Sequence, residues 1–305
     1  MKKFEVTILG SGSALSTINN NQTSQVVNIR DKLFMIDCGE GTQLQFRKAK
    51  LNFNRLGHIF ISHLHGDHCF GLIGLLSTFG MLGRTADLFI HAPHGLAVLM
   101  QPLLDFFCNP MPFKVHIKEF NPNQHALLYE DRSITVHTIP LKHRIPCAGF
   151  LFKEKKGFKH INREQIDYHH IPTYEINRIK AGYDYITPQG EIISNSTLTY
   201  PADAPRSYAY CSDTKYFEPI INLIANTNLL FHEATFATSE ANRAKQTYHS
   251  TALQAGLIAQ KANVKQLLIG HFSARYPNKK PLLDEALSVF ENTLLANELE
   301  TFKVE

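Results

Sequence analysis

Apolar and polar residues alternate along the chain in short segments that predict strands, and longer apolar segments between them predict helices. Residues 4–9 alternate in character, as a half-buried strand does, and a polar, Asn-rich loop follows at 15–24. Residues 25–30 and 33–37 predict a hairpin joined by a short polar turn. Strands and helices then alternate to the end of the chain, which is typical of an α/β fold.

The later segments follow the same scheme in both halves of the chain. Strands are predicted at 58–61, 87–91, 113–120, 126–130, 133–139, 207–212, 228–231 and 264–269. Helices are predicted at 42–50, 69–76, 95–107, 217–225 and 281–296, and one more begins after Ser250 or Thr251, either of which is a suitable N-cap. In each half, a strand ends in a polar residue and leads into a helix.

Residues 153–195 differ from the rest of the chain. Apolar periodicity weakens there, while Tyr, Lys and His become frequent and Pro and Gly interrupt the segment. We interpret this segment as an excursion from the core, part helix and part hairpin. Its first third carries five basic residues against Glu154 alone, namely Lys153, Lys155, Lys156, Lys159 and Arg163. This is a phosphate-facing surface if the partner is nucleic acid, or else a solvated surface segment.

The composition is that of an ordinary globular protein. The 305 residues are 44% hydrophobic and 19% charged, and the net charge of +4 permits an anionic partner without requiring one. No apolar run is long enough to span a bilayer, and residues 1–6 lead directly into a strand pattern, so we expect neither a membrane span nor a signal peptide. The five cysteines are odd in number and widely separated, so we expect reduced thiols and a cytoplasmic protein.

Metal-binding residue types are concentrated in the segment Ser62–His68, at a predicted strand-to-helix turn. His63 and His65 are two positions apart, so their rings can converge on one ion. Asp67 and His68 point away from that pair and can serve a second ion. Imidazole nitrogens and carboxylate oxygens suit zinc, and manganese less well. Two ions about 3.5–4 Å apart would share a water and clamp a phosphoryl group.

The segment Ser62–His68 resembles the signature loop of the metallo-β-lactamase superfamily. The resemblance implies an α/β fold built as a four-layered αβ/βα sandwich, with further ligands supplied by later loops. Candidates lie at or just past the ends of predicted strands, namely His143, Asp213 and His271. Asp213 can bridge two ions because a carboxylate has two oxygens. We expect His63, His65 and His143 on one ion and Asp67, His68 and His271 on the other, with Asp213 between them.

Beyond this loop, motifs along nearly the whole chain resemble those of ribonuclease Z, the endonuclease family that trims the 3′ end of precursor tRNA. They occur in family order as Asp37–Gln43, Ser62–His68, His143–Pro146, Ser212–Thr214, His232–Thr235, His249–Thr251 and His271–Tyr276. The resemblance implies a homodimer with two Zn²⁺ per subunit, and the donor types leave Mn²⁺ open as an alternative. It also implies that 1–305 is one metallo-β-lactamase-like domain in which 153–195 protrudes as a flexible arm that binds precursor tRNA. No other protein partner and no membrane are indicated.

The same resemblance suggests how the reaction proceeds. We expect Asp67 to orient or deprotonate the attacking water. The family assigns the proton for the leaving 3′ oxygen to His249, with Glu233 hydrogen-bonded to it and raising its pKa. From the residues alone, a capping or buried polar pair is an alternative for Glu233 and His249. Asp37 either accepts a hydrogen bond from a ligand imidazole or is a turn or N-cap aspartate.

Substrate contacts and rival functions complete the expectations. The residues expected to contact substrate are Ser273 and Arg275, with Lys153, Lys155 and Lys156 on the arm and Lys142 or Arg144 as further candidates. The first rival is a phosphodiesterase of the same fold that acts on other RNA or on small phosphate diesters. The second rival is a metal or RNA binder without catalytic activity.

Overall fold

Two mixed β-sheets pack face to face, and helices cover their outer faces. The structure, a computed structural model, describes residues 3–18 and 20–305. Met1 and Lys2, at the approach to the first predicted strand, and Asn19, in the predicted polar loop, lie outside the described residues.

The first half of the chain supplies most of one sheet and the helices on it. Its elements are β1 (Phe4–Gly10), β2 (Ser24–Ile29), β3 (Lys32–Ile36), α1 (Thr42–Lys48), β4 (Leu56–Phe60), α2 (Gly66–Cys69), α3 (Gly71–Met81), β5 (Leu88–Pro93), α4 (Leu96–Phe107) and β6 (Val115–Phe120). The predicted hairpin is present as β2 and β3. Arg30 and Asp31 form its turn with φ values of 52° and 67°, as a tight turn between two right-twisted strands requires.

The second half builds the other sheet and a small lobe between two of its strands. The elements before and in the lobe are β7 (Leu127–Glu130), β8 (Ile134–Pro140), β9 (Ala148–Glu154), β10 (His160–Ile161), α5 (Arg163–Tyr168), α6 (Ile176–Lys180), β11 (Tyr185–Ile186), β12 (Ile192–Ile193), α7 (Asn195–Leu198) and β13 (Thr199–Tyr200). The elements after it are β14 (Ser207–Cys211), β15 (Leu229–Glu233), α8 (Ala241–Thr247), α9 (Ala252–Lys261), β16 (Gln266–Gly270), α10 (Lys280–Leu287), β17 (Thr293–Leu295) and β18 (Thr301–Lys303).

The two sheets have matching topologies over the described part of the chain. One sheet has the strand order β18-β1-β2-β3-β4-β5-β6, and the other has the order β17-β16-β15-β14-β9-β8-β7. In each sheet one half is antiparallel and the other half is parallel, with β3 to β6 parallel in the first and β14 to β17 parallel in the second. Because parallel strands end at the same edge, the loops after β3, β4, β14, β15 and β16 are available to build one site.

Aromatic side chains fill the space between the two sheets. The rings of Phe60 and Phe150 lie 5.4 Å apart across this space, and those of Phe34 and Phe152 lie 5.8 Å apart. Two further apolar clusters pack the outer helices, one under α1, α3 and α4 and the other under α9 and α10. This arrangement confirms the predicted four-layered αβ/βα sandwich.

The boundaries of the excursion differ from the prediction of 153–195. Strand β9 continues to Glu154, and Lys153 is paired within the sheet with Ser207, so Lys153 belongs to the core. At the other end, β13 pairs with β10, so the segment extends past residue 195. The lobe, defined here as residues 155–206, has its own apolar cluster, formed by Ile166, Ile171, Ile179, Tyr185, Ile193 and Leu198.

A buried ion pair closes the base of the lobe. Arg206 donates from Nε to Glu154 Oε2 at 2.9 Å and from Nη2 to Glu154 Oε1 at 3.1 Å. Burial alone would raise the pKa of Glu154, but these hydrogen bonds outweigh it and hold the pKa below its usual value. The Glu154 backbone N–H also donates to the Arg206 carbonyl at 2.9 Å, so the two ends of the lobe meet as neighbouring strands.

Two predicted helices are wrong in extent. The segment 217–225 forms a 3₁₀ turn at Glu218–Ile220 followed by further tight turns, because its carbonyls accept from residues three positions on. The last helix ends at Leu287 rather than 296, and residues 293–295 join the second sheet beside β16. Short apolar segments do not distinguish helix from strand by periodicity, so pairing with a neighbouring strand decides. Over the residues described, no helix has the length and apolar character to cross a membrane.

Candidate metal centre

The seven candidate ligands lie together at the edge where the parallel strands end. They come from the loop and helix after β4 (His63, His65, Asp67, His68), the loop after β8 (His143), the loop after β14 (Asp213) and the loop after β16 (His271). Asp213 and His271 have positive φ values of 58° each, which non-glycine residues rarely adopt. Such backbone strain is concentrated at functional sites in proteins, where the surrounding fold holds it.

The first group consists of His63, His65, His143 and Asp213, whose ligand atoms lie within 4.8 Å of one another. His63 Nε2 lies 2.9 Å from His65 Nδ1 and 3.4 Å from Asp213 Oδ2. His143 Nε2 lies 3.3 Å from His65 Nδ1. The ligand atoms of a tetrahedral zinc ion are about 3.3 Å apart, because each is about 2.0 Å from the metal. The spacing in this group therefore suits one zinc ion.

The second group consists of Asp67, His68, Asp213 and His271. His68 Nε2 lies 3.3 Å from Asp67 Oδ2 and 3.4 Å from Asp213 Oδ1, and His271 Nε2 lies 3.0 Å from Asp213 Oδ1. Among the described residues, the Nε2 atoms of His68 and His271 are buried and have no hydrogen-bond partner. A buried nitrogen left unpaired costs free energy unless something else coordinates it, so these atoms fit a metal.

Asp213 lies between the two groups. Its Oδ2 faces the first group and its Oδ1 faces the second. The side chain is almost fully buried. Burial alone would raise the pKa of Asp213, but the neighbouring His271, His68 and His63 hold the pKa well below its usual value. A buried carboxylate in this position stays ionised only when positive charge flanks it on both sides.

The carboxylates create a site for positive charge. Burial alone would lower the pKa of His271, yet Asp213 and Asp67 raise it to about 10. The pKa of His68 is likewise raised, because Asp213, Asp37 and Asp67 outweigh the effect of burial. The two imidazole rings of the second group therefore bind protons readily, and a divalent cation would be favoured there for the same reason.

In three of the candidate ligands, the imidazole is oriented by a contact of the ring nitrogen that faces away from the metal group. His68 Nδ1 donates to Asp37 Oδ2 at 2.7 Å, which leaves Nε2 free for a metal. His143 Nδ1 donates to the Tyr248 carbonyl at 3.1 Å, and Tyr248 holds a left-handed backbone with φ of 61°. His63 Nδ1 lies 3.0 Å from Ser62 Oγ. Of the two alternatives for Asp37, the structure shows the contact with the imidazole of His68.

Glu233 and His249 form a pair beside these two groups. His249 Nδ1 lies 2.9 Å from Glu233 Oε1. Glu233 is fully buried and also accepts from the backbone N–H groups of Thr214 and Ser250 and from Thr235 Oγ1, at 2.7, 3.0 and 2.6 Å. Burial would lower the pKa of His249, but the Glu233 carboxylate outweighs it and raises the pKa. Because its Nδ1 is engaged, His249 has Nε2 available to transfer a proton.

A cavity of about 270 Å³ opens onto these groups. His65, Asp67, His143, Asp213, His249 and His271 line it, together with Ser13, Ala14, Arg144, Thr235, Phe236, Thr247 and Ser273. Ser273 and Arg144, two of the residues predicted to contact substrate, are thus among the residues that line the cavity. Arg275 is exposed on the same loop, and its backbone N–H donates to Ser273 Oγ.

The structure does not bring the arm lysines to this cavity. Lys153 is on β9, and Lys155 forms a 2.6 Å ion pair with Glu130 on β7. Lys156 is exposed at the start of the lobe. The interpretation of these lysines as a phosphate-facing surface on the excursion therefore does not concern the cavity and stays a prediction.

Ser13 and Phe236 were not among the predicted site residues. Ser13 belongs to the turn after β1, and its backbone N–H donates to the Phe272 carbonyl at 3.1 Å, beside the candidate ligand His271. A Cβ added to Gly10 would lie 1.8 Å from the Gln22 carbonyl oxygen, so this turn requires glycine for a close backbone approach. Gly10 and Gly12, two positions apart in the sequence, indicate this tight turn beside the cavity.

Comparison with known proteins identifies a matching family model, sequence relatives and structural neighbours. Residues 4–158 match the family model described as Anti-Pycsar protein Apyc1, a segment that ends before Asp213, Glu233, His249 and His271. Ribonuclease Z of Bacteroides fragilis is 61% identical over 298 residues, which cover 98% of this chain and 98% of that protein. The crystal structure of the short form of human tRNase Z superimposes with a TM-score of 0.71 at 23% identity and 99% coverage of both chains. The metallo-β-lactamase fold protein YhfI from Bacillus subtilis superimposes with a TM-score of 0.68 at 18% identity, also with 99% coverage of both chains.

Replacing Asp213 tests the ligand geometry. Asp213→Ala should lose metal from both groups, because one carboxylate faces both, and metal content measured by inductively coupled plasma mass spectrometry should fall from about two ions per chain to fewer than one. Asp87→Ala is the matched control, since Asp87 pairs with His116 on the surface at 2.8 Å and should not affect metal content. Full metal content in Asp213→Ala would contradict the bridging position.

Proposed function

The chain belongs to the ribonuclease Z family, and from this we propose that it removes the 3′ trailer of precursor tRNA as a metal-dependent endoribonuclease. The observation that carries the proposal is the position of Asp213 between two candidate ligand groups, with His249, hydrogen-bonded to Glu233, lining the same cavity. This combination supplies both a centre for phosphodiester hydrolysis and a proton donor. The alternative, a phosphodiesterase that acts on other RNA or small diesters, would use the same centre.

We propose that His63, His65 and His143 hold one Zn²⁺, that Asp67, His68 and His271 hold a second, and that Asp213 holds both. Zinc suits the five imidazoles better than manganese, although Mn²⁺ can also bind nitrogen and oxygen ligands. When bound, two such ions would lower the pKa of a water molecule toward neutral pH and would hold the phosphoryl oxygens in place. The fit rests on the paired spacing and on the unpartnered Nε2 atoms of His68 and His271.

The side chains around the centre have separate roles in the reaction. Asp67 lines the cavity and orients the attacking water or accepts its proton. His249 donates a proton from Nε2 to the leaving 3′ oxygen of the tRNA, and Glu233 keeps that ring charged and correctly oriented. Arg144 and Ser273, which line the cavity, and the exposed Arg275 would contact phosphates of the tRNA near the scissile bond.

The lobe is the part of the chain that we assign to tRNA binding. It exposes aromatic side chains that bases can stack on, namely Phe158, Tyr168, Tyr174, Tyr183 and Tyr200. Basic residues lie among them, and the Arg178 guanidinium sits 5.5 Å from the Tyr183 ring centre. Lys156 at the start of the lobe and Lys153 and Lys155 at its base would add positive charge to this surface.

We also propose that two copies of this chain form a homodimer through one face of α4. Leu99, Leu103 and Phe106 share that side of the helix, with Val98 and Phe107 at its two edges, and the side chains of Val98 and Phe106 are 79% and 80% exposed. Met81 at the end of α3 extends the face, since it lines a cleft together with Phe107. Contiguous apolar surface of this kind is rare on monomers and typical of an interface.

The buried free thiols of Cys38, Cys147 and Cys211 suit the cytoplasm, where we place the protein.

Removing the proton donor should affect substrates unequally. His249→Ala should slow cleavage of precursor tRNA by about 10²–10⁴-fold, because the leaving 3′ oxygen is poor without a proton. Cleavage of bis-p-nitrophenyl phosphate should change far less, because its aryl leaving group departs as a stabilised anion. Metal content, measured on the same samples, should equal that of the wild type. Equal losses on both substrates would remove the proton-donor role.

Deleting the lobe separates tRNA processing from general diester hydrolysis. Because Glu154 and Arg206 are neighbours on antiparallel strands, residues 156–204 can be replaced by an Asn-Gly turn that retains this ion pair. The shortened protein should lose cleavage of 3′-extended precursor tRNA and keep cleavage of bis-p-nitrophenyl phosphate. Undiminished cleavage of precursor tRNA, with the cut mapped to the trailer junction, would contradict the assignment of the lobe.

Charge on α4 tests the dimer. The double variant Val98→Asp/Phe106→Asp should elute as a monomer in size-exclusion chromatography with light scattering, where the wild type elutes as a dimer. Leu127→Asp is the control, because Leu127 is also exposed but lies on β7 at the far edge of the second sheet. A monomeric wild-type protein, or a dimer that the double variant leaves intact, would contradict this interface.

A further inference from the structure

Two tyrosines on β14 reach across the sandwich from the second sheet to the first. Tyr208 and Tyr210 are two positions apart, so both side chains point toward the first sheet, and both are fully buried. The Tyr208 hydroxyl donates to Gln25 Oε1 on β2. The Tyr210 hydroxyl donates to Asp37 Oδ2, at the end of β3, at 2.7 Å. Both contacts are hydrogen bonds from a tyrosine hydroxyl across the sandwich. They differ in the further hydrogen bonds that the acceptor, Gln25 or Asp37, makes.

Asp37 connects Tyr210 to ligands in both groups. Its Oδ1 accepts from the Ser62 backbone N–H at 2.7 Å. Its Oδ2 accepts from Ser62 Oγ at 2.9 Å and from His68 Nδ1 at 2.7 Å, in addition to Tyr210. Because Ser62 Oγ donates to Asp37, it can accept from His63 Nδ1, which lies 3.0 Å away. The Asp37 carboxylate thus orients His68 directly and His63 through Ser62.

The ring of Tyr210 is held so that its hydroxyl has one position. It stacks on Phe231 with centroids 5.1 Å apart and planes 12° apart, and on Phe150 at 6.5 Å and 18°. Asp37 itself is fully buried and has a positive φ of 57°. A buried carboxylate that accepts three donors on one oxygen has a fixed orientation, and losing one donor allows it to rotate.

We propose that Tyr210 is a positioning residue of the metal centre: through its hydrogen bond to Asp37 it fixes the orientation of His68 and, by way of Ser62, of His63. The inference rests on the two-metal centre of the proposed function but not on the identity of the substrate. It means that the second sheet controls ligands carried by the first sheet. Packing of the sandwich and metal affinity are therefore coupled through one hydroxyl group.

A pair of matched variants tests this inference. Tyr210→Phe and Tyr208→Phe each remove one buried hydroxyl that donates across the sandwich, so both lose stability for the same reason. Tyr210→Phe should bind Zn²⁺ about 10-fold more weakly, the lower end of the range for groups that orient metal-ligating histidines. Tyr208→Phe should bind it as the wild type does. Affinity is measured by competition with a fluorescent zinc chelator, and thermal unfolding of the metal-free proteins reports stability separately.

A double-mutant cycle shows whether the effect passes through Asp37. In the Asp37→Asn background, Tyr210→Phe should cause no further loss of zinc affinity, because the acceptor it acts on has already changed. Additive losses, or equal zinc affinities for Tyr210→Phe and Tyr208→Phe, would overturn the inference. If Tyr210→Phe does not fold, Ser62→Ala tests the same network from its other end and should also weaken zinc binding; unchanged affinity there would overturn it equally. A wild-type protein that binds zinc but does not cleave precursor tRNA would refute the proposed function and leave this inference standing.

Discussion

The structure depends on a buried carboxylate, Asp213, that lies between two groups of imidazoles. A buried anion is costly unless positive charge compensates it on every side that it faces. Asp213 faces the first group with one oxygen and the second group with the other, so the compensation must come from side chains on several separate loops. The fold meets this requirement by ending its parallel strands at one edge, where β4, β14 and β16 each contribute to the same cavity.

This constraint explains which parts of the site could be predicted from the sequence. His63, His65, Asp67 and His68 are close in sequence, so their spacing alone indicates metal. His143, Asp213 and His271 are single residues in long segments, and only their positions after predicted strands, with the resemblance to ribonuclease Z, selected them. The fold class is also confirmed, because alternating strands and helices restrict the possible topologies strongly.

Other features depend on contacts between distant segments and could not be read from local patterns. Whether Asp37 was a turn residue or an imidazole partner was open, because the answer requires β3 to lie beside β4. Strands β9 and β17 were missed or assigned to other elements, since pairing with β14 and β16 decides their conformation. The lobe boundaries were displaced because the Glu154–Arg206 ion pair, which defines its base, joins residues 52 positions apart.

The central claim is that two metal ions share Asp213. It is tested most directly by anomalous diffraction from crystals of the purified protein, recorded on both sides of the zinc absorption edge. We expect two anomalous peaks about 3.5–4 Å apart, one among His63, His65 and His143 and the other among Asp67, His68 and His271, with Asp213 touching both. A single peak, or peaks ligated by other residues, would contradict it.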